Sequence, residues 1–158
     1  CSSDLVATAS YYNDTYLLST STFNSLTSSM SVATASYSPK TDYLVIAVSD
    51  ELNSLTTGSA KVTFRWPYSG VLLNVKSSLT TASSGSNVIV DININNSSIL
   101  STKLSIDSTE KTSMTAATPY VFSNTTVVED DEVTIDIDQV GSISAGKGLK
   151  VYFKTLIS

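Results

Sequence analysis

Downstream of residue 42, apolar side chains recur at every second position in short runs: 43–48, 61–65, 71–75, 88–94, 99–106, 120–122, 133–138 and 149–153. A period of two turns successive side chains to opposite faces, so each run predicts a β-strand. The clearest is 88–94, where Val88, Val90, Ile92 and Ile94 share one face and Asp91 and Asn93 are expected to meet water. Turn-forming residues separate the runs: Ser84-Gly85-Ser86, Asn95-Asn96 and Ala145-Gly146-Lys147-Gly148. No helical period intervenes. About eight antiparallel strands with polar turns predict a β-sandwich, jelly-roll-like in its favoured version.

Before residue 42 the pattern is different. Tyr16, Phe23, Met30 and Tyr37 recur every seven positions, and Leu26 and Ala33 fall three after Phe23 and Met30. That is the a/d spacing of a coiled-coil seam. The hexapeptide VATASY occurs at 6–11 and again at 32–37, as expected of an elongated repeat. Eighteen of the first 42 residues are Ser or Thr, so a lone helix here has poor propensity. The two facts agree if copies of the segment hold one another, burying Phe23, Leu26 and Met30 between chains at about 1.5–3 kcal/mol per fully buried side chain. A disordered Ser/Thr linker is the alternative. The expected organisation is a helical or extended trimeric stalk over 1–41, with Tyr16, Phe23, Leu26, Met30 and Ala33 in its seam, and a β-sandwich head over 42–158.

Composition narrows the chemistry. Among 158 residues the net charge is −5, and only 15% are charged. Nucleic acid is not an expected partner, because phosphate binding depends on clustered Lys and Arg. No apolar run approaches the roughly 18 residues that span a bilayer, so membrane insertion is not expected. The single cysteine, Cys1, excludes a disulfide or a thiolate cage within one chain. CSSD at the start matches a processed lipoprotein end, although a chain cut from a longer one begins with any residue; truncation is the expected history.

With no histidine, the commonest general base and metal ligand is missing, and no enzyme activity or cofactor is expected. Three groups remain to be weighed. Asp136 and Asp138 share a strand face, as a glycosidase pair requires. Glu129-Asp130-Asp131-Glu132 crowds acids that Asp91, Asp107 or Glu110 could join around calcium, but its expected role is a solvated turn. Trp66-Pro67-Tyr68 offers rings for a sugar, but is expected to fill a core corner. Asn13-Asp14-Thr15 and Asn124-Thr125-Thr126 match the glycan acceptor pattern, as a chain rich in these residues does by chance.

The motifs TTGSAKVTFRWPY (56–68), SLTTA (78–82), VDIN (90–93), SILSTKLSID (98–107), EVTIDIDQVG (132–141) and KGLKV (147–151) together resemble a module near the end of tailed-bacteriophage fibre and other virion proteins. The preceding ASY and STSTFNS segments are similar to the low-complexity shafts of such fibres. The resemblance implies a homotrimer on the virion exterior, in contact with other virion proteins and with a host surface glycan or protein, and it implies no catalytic residues. A capsid decoration or head-fibre protein and a surface lipoprotein adhesion module are the competing expectations.

Overall fold

The chain divides into two units, Cys1–Pro39 and Lys40–Ser158. A computed structural model describes Asn24, Ser25 and residues 40–158. Asn24 and Ser25 are helical and exposed. The expected seam positions Tyr16, Phe23, Leu26, Met30 and Ala33 lie outside the described residues, as do Cys1 and Asn13.

The second unit is mainly β. Its strands are β1 (Thr41–Ala47), β2 (Gly58–Arg65), β3 (Gly70–Ser78), β4 (Val88–Ile94), β5 (Ser97–Ser98), β6 (Leu100–Thr102), β7 (Leu104–Ile106), β8 (Val121–Phe122), β9 (Thr126–Val127), β10 (Glu132–Gln139) and β11 (Lys150–Ile157), with a 3-10 turn at Ser113–Thr115. Every pairing is antiparallel. One sheet runs β1-β11-β3-β9; another runs β2-β10-β4-β5, with β7 also on β4; β6 and β8 form a small pair.

The alternation seen in the sequence explains which faces are dry. Leu72 and Val75 of β3 and Val151 and Phe153 of β11 are buried in one cluster with Val88, Val90 and Ile92 of β4 and Ile135 and Ile137 of β10. Each such side chain contributes about 1.5–3 kcal/mol when taken fully out of water. Trp66 joins this core, its ring centroid 5.3 Å from Phe153, 5.8 Å from Tyr68 and 6.1 Å from Phe64. Tilted and edge-on contacts of this kind suit the ring quadrupoles.

Asn95 and Asn96 both have positive φ, 49° and 65°, and close a two-residue hairpin that pairs Ile94 with Ser97. Asparagine tolerates that backbone region, so the dipeptide specifies the turn. Side chains lock it further. Asn95 donates from Nδ2 to Asp131 at 2.8 Å and accepts at Oδ1 from the Glu132 amide at 3.1 Å.

Three differences from the expected pattern bear on the surface and its charges. Thr41, expected before the β domain, instead starts β1, where it pairs with Leu156. The run 99–106 does not form one strand: it divides between β6, which pairs with β8, and β7, which pairs with β4, and Lys103 between them meets two carboxylates. Asp91, expected in water, is 5% exposed. Its carboxylate is satisfied inside, by Ser98 Oγ at 2.7 Å, its neighbour's amide at 2.8 Å and Lys103 Nζ at 3.0 Å. Period two assigns a side chain to a face, but it does not show what later chain covers that face.

Candidate interaction surface

The acidic groups are absorbed by the fold. Asp136 accepts from the Ala60 amide at 2.6 Å and from Asn93 Nδ2 at 3.0 Å, holding the irregular start of β2 against β10. Asp138 instead meets Lys103 at 2.6 Å. Lys103 thereby bridges Asp138 and Asp91, and the Asp138 hydrogen bond, then that of Asp91, holds its pKa above the ordinary lysine value against the opposing effect of burial. Asp136 and Asp138, weighed as a glycosidase-type pair, are therefore engaged separately.

Within the run 129–132, Glu129 and Asp130 form a turn, with Asp130 at a positive φ of 69°, and Glu132 begins β10. Asp131 accepts from the Val128 amide at 2.7 Å, and Glu132 pairs with Arg65 at 3.1 Å. Asp107 accepts from Asn87 at 2.7 Å and from the Ala117 amide at 2.8 Å, and Glu110 accepts from Thr115. Among the described residues no three acids converge on a common point. Trp66 is in the core, so it offers no platform to a ligand. The amide oxygen of Asn124 accepts from the Thr126 backbone at 3.0 Å, closing a local turn on the surface.

A different constellation stands on the outward face of β1, β11 and β3. Cross-strand register places Tyr43 beside Lys154 and Asn74, and Val45 beside Tyr152 and Lys76. Lys154 Nζ lies 5.5 Å from the centre of the Tyr43 ring, and Lys76 Nζ lies 4.9 Å from that of Tyr152. These are cation–π distances. Leu73 and Met114 complete the floor and rim of an open groove of about 440 Å³.

Local structure explains how each group is held. In β1 the inward set is Leu44 and Ile46, which pack on the core and so turn Tyr43 and Val45 outward. A bulge between Lys154 and Thr155 gives β3 an extra residue, and Leu73 is 45% exposed there. Met114 sits in the 3-10 turn, which the Thr112 hydroxyl caps and which the Ser77 amide anchors by donating to Ser113 Oγ at 2.8 Å. Tyr43 and Met114 remain 64% and 61% exposed.

The sequence did not single out these residues, yet it carried a signal. Within β1, residues 43–47 are apolar on both faces, whereas an antiparallel strand with one wet face alternates. Among the described residues, the outward positions Tyr43 and Val45 stay exposed. Comparison with family models, with curated proteins and with solved structures finds no match to this chain.

Proposed function

We propose that this chain is a structural component of a bacteriophage particle: a trimeric tail-fibre protein whose segment before β1 joins three copies and whose β domain, a jelly-roll-like sandwich of the two main sheets, serves attachment on the virion exterior. Three features support the reading. The motifs from 56 to 151 resemble fibre modules, the heptad spacing of Tyr16, Phe23 and Met30 suits self-association, and buried residues of both main sheets share one cluster. The observation that carries attachment is the outward Tyr43, Val45, Leu73 and Tyr152 face, since exposed apolar patches bounded by polar groups mark interaction sites. Three weak sites on one fibre gain strength by avidity without any new contact.

Gold-labelled antibody against the chain, applied to intact particles from its source, tests this reading. Label on tail fibres is the expected result. Label confined to the shell would replace it with a decoration role, and particles without label would overturn both.

A further inference from the structure

Among the described residues, the basic side chains divide into those the fold consumes and those it leaves. Arg65, Lys103 and Lys150 are taken up by Glu132, by Asp91 with Asp138, and by Glu51. Lys76 and Lys154 form no ion pair, like Lys40, Lys61, Lys111 and Lys147, but of these six only Lys76 and Lys154 lie over tyrosine rings. No Asp or Glu stands at an outward position of β1, β11 or β3, in a chain whose net charge is −5. A local cationic face on an acidic protein favours an anionic partner.

The surroundings of the two lysines narrow the partner. A second copy meeting this face through its own would set lysine against lysine, which an isologous contact disfavours. Lysine is also depleted from the centres of protein–protein interfaces, yet here Lys76 and Lys154 stand between Tyr43, Tyr152 and Asn74. Rings on strands offer rigid, amphipathic area at small entropic cost, and Asn74 adds an amide that donates and accepts. The groove is open rather than enclosed, and its volume lies in the range of ligand clefts. Flat rings, point cations and a neutral amide match a chain of sugar rings that carry carboxylates.

We propose that the outward face of β1, β11 and β3 binds an acidic polysaccharide, its carboxylates meeting Lys76 and Lys154 and its ring faces lying on Tyr43 and Tyr152. The binding stands on this face alone, whether or not the chain belongs to a particle.

Calorimetric titration of the full chain with oligogalacturonate, against a neutral dextran of matching length, tests it. Oligogalacturonate is expected to bind and to weaken as salt rises, while dextran does not bind. The double variant Lys76→Gln/Lys154→Gln is expected to lose about tenfold or more in affinity, and Tyr43→Ala to weaken binding as well. The tryptophan emission and thermal midpoint of each variant should stay as in the parent. Equal binding of dextran would overturn the proposal, as would polyglutamate or phosphatidylglycerol vesicles binding as tightly as oligogalacturonate. An undiminished affinity in the folded double variant would also overturn it. Should Tyr43→Ala fail to fold, the lysine variant and the salt dependence of the parent decide.

Discussion

At the scale of single residues, the most consequential group is one that sequence periodicity assigned to solvent. Asp91 is buried and ion-paired, and a buried charge stripped of its partner costs far more than the pair contributes. Lys103→Met should therefore lower the unfolding free energy by about 1–3 kcal/mol in urea titrations, the partial exposure of Lys103 keeping the loss below that of a fully buried pair. Adding Asp91→Asn should recover part of it, since the orphaned charge is then gone. Strict additivity of the two substitutions would contradict the pairing.

Because the folded-state pKa of Lys103 is raised, its contribution is complete below the ordinary lysine value of 10.5 and is lost as pH rises through the raised one. Phe153 is 1% exposed and touches Phe64 and Trp66. Phe153→Ala should cost about 3–5 kcal/mol. Trp66 Nε1 has no hydrogen-bond partner among the described residues, so Trp66→Phe should cost much less than Phe153→Ala in the same titration.

At the scale of elements, the turns were legible because their chemistry is local. Asn95-Asn96 announced a hairpin, and both residues adopt the left-handed backbone that the turn needs. Asn95→Ala should destabilise by about 1–2 kcal/mol, through backbone strain and loss of the bonds to Asp131 and Glu132; an unchanged urea midpoint would contradict this.

The long strands were legible for the same local reason, as in 88–94 and 133–138, now β4 and most of β10. What stayed hidden was set by distant chain. Nothing within 99–106 announces that its first part pairs with β8 and its last part with β4, so the run looked continuous. Nothing in the spacing of Tyr43, Lys76, Tyr152 and Lys154 brings them together, because the order β1-β11-β3 does that.

The loop after β1 shows the same reach. Asp50 accepts from Asn53 and Leu52, chiefly the Asn53 side chain, and Glu51 is bound by Lys150 first and Thr80 second, so both pKa values are lowered. Groups with depressed pKa values stabilise above their ordinary values, here 3.8 and 4.5, and lose that effect as pH falls through the lowered ones. The thermal midpoint should accordingly fall on acidification below 4.5, and Asp50→Asn with Glu51→Gln should flatten that fall.

At the scale of the whole molecule, the β domain leaves two kinds of surface unspent: the cationic tyrosine face and the apolar positions beside it. A single copy gains little from a shallow, open site, whereas several copies on one stem gain avidity when their spacing matches the target. The seam residues Tyr16, Phe23, Leu26, Met30 and Ala33 provide the stem in this account. Phe23→Asp with Met30→Asp should release single copies while leaving the tryptophan emission of the β domain unchanged. The most direct measurement is the mass of the full chain in solution, by light scattering at micromolar concentration. Three copies of 16.8 kDa, about 50 kDa in total, are expected; a mass of 16.8 kDa that persists as concentration rises would contradict the account.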